Sequence, residues 1–290
     1  MKAVLGAYWN ARADTVEDCA ERASALLSAL APIDPLLTDW RDKAGSRRNA
    51  LAQPLVTTNY DDLVHRLFAG RNRTDVGNEV IENLGYAVSW WNSRENREGG
   101  ITLRLHLGVT SPHVSNSVVL NLPDSRQTPR LYEKGAASAL LSAVISIFQP
   151  DRASWSSNDL KKAQAEPDQE LPNGGIAYGQ LIGHPAGWAT YLADRSGISF
   201  DPDALPKDAV VEKLESGTLV IVGENPADPP LSDVLAVRVA MGYPAPQDLT
   251  SYETNGAAPG EKAGSGSAPV EEHSSDRPTK AATEEGKSLS

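Results

Sequence analysis

The segment Thr102-Leu103-Arg104-Leu105-His106-Leu107 alternates polar residues and leucines without a break. Successive side chains of a strand point to opposite faces, so Leu103, Leu105 and Leu107 share one face and Thr102, Arg104 and His106 the other. Such a strand belongs in an antiparallel sheet packed on one face and open to solvent on the other. Two further runs, Gly85 to Asn92 and Ser117 to Leu122, are separated from it by loops rich in Gly, Asn, Ser and Pro, and the three predict a meander. Neighbouring Trp90 and Trp91 must then face opposite ways, one into the core and one outward.

The rest of the chain supplies elements to cover that sheet. Ala3 to Trp9 runs apolar without alternation and predicts a strand buried on both faces. A helix is expected over residues 14–30, capped by Asp14 with Glu17 three positions on; Cys19, Ala23, Leu26 and Leu30 lie on its apolar stripe. Pro35 to Trp40 reads as a helical turn with Trp40 as a packing lid, and Arg41 to Arg48 as a solvated loop. A second helix over 59–69 takes Thr57 or Thr58 as cap, places Leu63, Val64, Leu67 and Phe68 inside, and stops at Gly70. A third is expected over 134–148, strands over 187–192 and 218–222, and a closing helix over 231–241. Residues 150–175 read as an acidic, weakly ordered stretch. There is no internal repeat, and the strands are too unevenly spaced for a sandwich. The expected class is therefore α+β, a single domain over residues 1–250 with an antiparallel sheet packed against helices. Residues 251–290 carry only Tyr252, Val270 and Leu289 as sizeable hydrophobes and are expected to be a disordered acidic tail.

Composition narrows the function. The net charge is −11, most of it before residue 251, which argues against direct nucleic-acid binding and is compatible with a partner presenting a basic surface. One cysteine, Cys19, allows neither a disulfide framework nor a multi-cysteine metal site, and it sits on an apolar stripe as a small core residue. The five histidines show no ligand spacing, so neither metal nor cofactor is expected. No export signal and no membrane-spanning run is read, and the expected location is cytoplasmic. There is no phosphate-cradling glycine loop, dinucleotide fingerprint or GxSxG elbow. The chain is expected not to be an enzyme. The alternative is a small-molecule or nucleotide-processing enzyme using Arg104 and His106, with Arg73 and Asp75 converging on them.

What remains is a set of aromatic and polar residues of the types enriched in binding hot spots: Tyr8, Trp9, Arg12, Trp40, Trp90, Trp91 and Asn92. Several stretches around them resemble the immunity protein 52 family of bacterial polymorphic-toxin systems. They are GAYWNAR at Gly6 to Arg12, Cys19 to Trp40, GRNRTD at Gly70 to Asp75 and LGYAVSWWN at Leu84 to Asn92, followed by Leu105 to Gly108, Asn116 to Leu120, GWATYL at Gly187 to Leu192 and Gly217 to Pro229. The resemblance covers roughly residues 3–243. It implies a non-enzymatic α+β antidote to a secreted toxin, usually a nuclease of the restriction-endonuclease-like fold, delivered by type VI secretion or a related route. On that reading Trp91, Asn92, Arg104 and His106 on the meander, with Arg71, Arg73 and Asp75 on the loop before it, are the expected toxin contacts. Gly6, Tyr8, Trp9, Arg12 and Trp40 are the family-motif residues with structural roles, Arg12 pinning the strand end to an acid or a carbonyl.

Overall fold

The computed structural model describes residues 1–244 and residue 246; the expected tail lies outside the described residues. The elements are β1 (Lys2–Trp9), α1 (Val16–Leu30), β2 (Arg41–Asp42), α2 (Arg47–Leu51), α3 (Tyr60–Ala69), β3 (Tyr86–Trp91), β4 (Thr102–Leu107) and β5 (Asn116–Asp124). They continue with α4 (Lys134–Phe148), β6 (Arg152–Ser157), α5 (Asn158–Ala163), the short ribbon β7 (Gln169–Glu170) and β8 (Ile176–Ala177), β9 (Ala189–Ala193), β10 (Val210–Leu214), β11 (Gly217–Ile221) and α6 (Leu231–Ala240). Nine strands form one antiparallel sheet in the order β10-β11-β9-β6-β1-β5-β4-β3-β2. The class is α+β, and the meander β3-β4-β5 lies where the alternation placed it.

The central strand is β1, paired with β5 on one side and β6 on the other. Both neighbours run antiparallel to β1, so they are parallel to each other, and such a pair needs a crossover rather than a hairpin. Helix α4 supplies it, carrying the chain over β1 from β5 to β6. One face of the sheet is covered over its central strands: Ala3, Leu5, Ala7 and Trp9 of β1 pack with Cys19, Ala23 and Leu26 of α1, Leu63 and Leu67 of α3, and Leu140, Leu141 and Phe148 of α4. The other face is covered over one half. There Leu160 of α5, Leu192 of β9, Val220 of β11 and Val234 and Val237 of α6 form a second apolar cluster. The expectation that β1 is buried on both faces therefore holds for one face, while Val4 and Tyr8 on the other are half-exposed.

Four local readings are corrected. The cap of α1 is Thr15, whose hydroxyl accepts from the Asp18 N–H while the Asp18 carboxylate accepts from the Thr15 N–H; this capping box contributes about 1 kcal/mol. Asp14 instead pairs with Arg12 at 2.8 Å and with Arg22 at 3.8 Å. Helix α3 is capped by Asn59, and Phe68 stands half-exposed with the Arg71 guanidinium over its ring at 3.8 Å. Residues 41–48 are not a plain loop: Arg41 and Asp42 pair with Trp91 and Trp90, and Ser46 caps α2. The stretch 150–175 contains β6, a central strand, followed by α5. Its sequence Arg152-Ala-Ser-Trp-Ser-Ser does alternate, with Ala153 and Trp155 turned to the core, but over a span too short and too rich in serine to stand out as a strand.

Candidate functional site

The uncovered half of the second face is built from outward-pointing positions of β3, β4, β5 and β1. Strand register lines them up in three rows: Trp91, Thr102, Asn121 and Val4; Ser89, Arg104, Val119 and Gly6; Ala87, His106, Ser117 and Tyr8. No position in these rows is an aspartate or glutamate. Asn121 donates to the Thr102 hydroxyl at 3.0 Å, and Arg104 stands exposed in the middle of the face. Lys43, whose N–H pairs with the Ser89 carbonyl, reaches the same patch. Burial, and then the positive charge of Arg104, hold the Lys43 ammonium below the usual lysine range. Burial is the larger cause, and the smaller one places the Arg104 charge within reach of the Lys43 ammonium.

At the Trp91 end the face deepens into a groove of about 780 Å³ between α2 and the loop after β3, lined among others by Lys43, Arg47, Trp91, Arg94, Arg97 and Thr102. Glu95 is the single acid in this lining; it pairs with Arg47 at 3.3 Å and Arg97 at 2.9 Å. Trp90 is fully buried and Trp91 half-exposed, as their adjacency requires, and the Trp91 Nε1 has no hydrogen-bond partner among the described residues. An indole edge beside unbalanced cations in a concave surface has the residue types that dominate protein interfaces.

The expected contact residues do not all meet here. Trp91 and Arg104 share the face, and His106 lies on it with its Nε2 donating to the Leu84 carbonyl at 2.8 Å. Asn92 is buried: it donates to the carbonyls of Leu36 and Gly99, both at 2.9 Å, and accepts from the Ile101 N–H. That side chain closes the turn between β3 and β4. Arg71 bridges to Tyr86 at the opposite end of β3 from Trp91, about 16 Å away along the strand. Arg73 and Asp75 are exposed in the following loop, where Arg73 donates to the Asn78 carbonyl. No hydrogen bond or ion pair among the described residues joins Arg73, Asp75, Arg104 and His106. Sequence reasoning missed Lys43, Arg47, Arg94 and Arg97; their only signal was a local density of arginine, which also marks ordinary solvated loops.

Of the family-motif residues, Gly6 and Tyr8 lie on the face itself, while Trp9, Arg12 and Trp40 lie behind it. Trp9 packs on Phe148 with ring centroids 5.6 Å apart. Arg12 covers Trp9 at 4.9 Å and donates to the Asp14 carboxylate and, at 2.9 Å, to the Phe148 carbonyl, so it does pin the strand end to both an acid and a carbonyl. Trp40 is buried and donates to the Leu37 carbonyl.

The family model described as Immunity protein 52 matches residues 3–232 of this chain. The chain belongs to the immunity protein 52 family. Its general role is thus that of an immunity protein, whose partner is a cognate toxin. Among solved structures, the Pseudomonas aeruginosa T6SS protein PA0821 is similar over 83% of this chain and 72% of its own, at 12% identity and a TM-score of 0.47. No curated protein matches the sequence. Among the described residues of this immunity protein 52 member, no helix is long and apolar enough to cross a membrane.

Proposed function

We propose that this chain is a non-enzymatic, cytoplasmic immunity protein that binds its cognate toxin through the open half of the sheet, centred on Trp91, Arg104 and Lys43. The observation that carries the placement is the asymmetry of one face: half is sealed by α5 and α6, and the other half is a cationic surface with an aromatic edge and no cover among the described residues. The partner patch that fits it is acidic. The net acidity of the chain lies elsewhere on the surface and is free to meet the more basic parts of the same toxin.

The family resemblance supports a toxin that is a DNA-cleaving effector of the restriction-endonuclease-like fold, delivered by type VI secretion. In this reading Arg71, Arg73 and Asp75, at the far end of β3, make secondary contacts. Co-expression with the toxin encoded beside it should restore growth, relieve DNA damage and yield a complex that co-purifies. Should the pair neither co-purify nor relieve the damage, the reading fails. Arg104→Glu with Lys43→Glu should weaken the complex; unchanged affinity would move the interface off this face.

A further inference from the structure

On the covered half of the same face, a cavity of about 300 Å³ lies between β1 and β6 on one side and the loop 181–185 on the other. Tyr8 pairs in register with Arg152, and Gly6 with Ser154, so these four residues form its floor. A Cβ at position 6 would stand 2.9 Å from the Tyr8 ring, so the glycine is what lets that ring lie across the strand. The roof is held from inside the protein. Fully buried Arg238 donates to the Ile182 carbonyl at 2.6 Å and the His184 carbonyl at 3.1 Å. Gly183, at φ +71°, passes so close to Tyr243 that a Cβ would meet its ring at 2.0 Å.

Three nitrogen-bearing side chains converge on this space: Arg152, His184 and, from α5, Lys161. No aspartate or glutamate lines it. Among the described residues none of the three side chains has a hydrogen bond or ion pair; Arg152 touches the Tyr8 ring face at 5.2 Å. The hydroxyls of Tyr8 and Ser154 are likewise unused. Burial holds the Arg152 guanidinium below its ordinary value and, with the Arg152 charge, lowers His184. Half-buried cations are ordinarily matched by a carboxylate, because removing a charge from water is costly unless it is paired. Here the matching charge is missing from the lining.

We propose that this cavity binds a small phosphate monoester, Arg152 and Lys161 gripping the phosphate while the Tyr8 and Ser154 hydroxyls donate to it. Two full positive charges suit a group carrying about −1.5 to −2 charge at neutral pH better than a monoanionic carboxylate. The apolar walls, Val4, Leu181 and Leu192, take the organic part, and the volume is at the small end of ligand pockets. The site does not depend on the toxin reading: it borders the open half along Val4, Gly6 and Tyr8 of β1, but its cations Arg152, Lys161 and His184 lie outside that half.

The test is calorimetric titration of the full chain with phenyl phosphate, inorganic phosphate and benzoate. Saturable one-site binding of phenyl phosphate is expected, with inorganic phosphate and benzoate both weaker. Arg152→Gln and Lys161→Gln should each lower phenyl phosphate affinity about tenfold. If Arg152→Gln does not fold, Lys161→Gln decides. Absence of saturable binding of phenyl phosphate at millimolar concentration, or affinity unchanged by Lys161→Gln, overturns the proposal. Benzoate binding as tightly as phenyl phosphate overturns the choice of a phosphate.

Discussion

The guanidinium of Arg238, fully buried on α6, donates to the backbone carbonyl of His184, 54 residues away in sequence, at 3.1 Å. With the bond to Ile182 it ties the 181–185 loop to the helix that seals half of the sheet face. Arg238→Leu leaves both carbonyls without a donor and should cost about 2–4 kcal/mol, since an orphaned buried polar group costs about 1–3 kcal/mol. The urea midpoint should fall, and hydrogen exchange should rise in residues 181–186 before it rises in α1 or α4.

Asn92 separates a structural role from a contact role. Its amide serves three backbone groups at the β3 to β4 turn, so Asn92→Leu should destabilise the fold by about 2–4 kcal/mol. Once folded, the variant should bind the toxin with near-native affinity. A large affinity loss without a stability loss would return Asn92 to the interface.

Arg104 and Lys43 lie on the exposed patch, and charge reversal there should change stability by no more than about 0.5 kcal/mol. The toxin association rate should fall several-fold at low salt, with the difference shrinking as ionic strength rises. Stopped-flow association over a salt series checks this. An association rate independent of salt in the native protein removes the electrostatic part of the proposal.

His184 gives a pH signature. Burial, then the Arg152 charge, holds its folded-state pKa below the ordinary 6.5, so below pH 6.5 the unfolded chain binds more protons than the folded one. The associated stability is complete above pH 6.5 and is lost as pH falls toward the folded-state value. Urea midpoints measured across that window should decline in the native protein, and the decline should be shallower in His184→Gln.

Cys19 should be chemically silent. Burial, reinforced by the Asp14 charge, pushes its thiol up to about 12, and thiolate is the reactive form. A disulfide-exchange reagent at about pH 8 should leave the folded protein unmodified and label it quickly in denaturant. Rapid labelling of the native chain would contradict the burial of α1 against the sheet.

What the sequence determined alone were the elements whose periodicity one local environment imposes. The 102–107 alternation encoded both faces of β4, and the adjacency of Trp90 and Trp91 sent one ring inward and one outward. The apolar stripe of α1 and the family motifs at Gly6 to Arg12 were also legible, because each is a contiguous pattern. Residues 150–175 were misread because β6 owes its strand to its neighbours: Ser154 is paired with Gly6 of β1 on one edge and Thr190 of β9 on the other, which no local propensity reports. Tertiary structure alone decided which half of the second face α5 and α6 seal. It also placed Lys43, Arg47 and Arg94 around Trp91, withdrew Asn92 into a turn, and gathered Arg152, Lys161 and His184 around one cavity. Those groupings follow from sheet order and helix docking, which bring together residues tens of positions apart in sequence. Charge on such residues is visible in the sequence, but its convergence is a property of the fold.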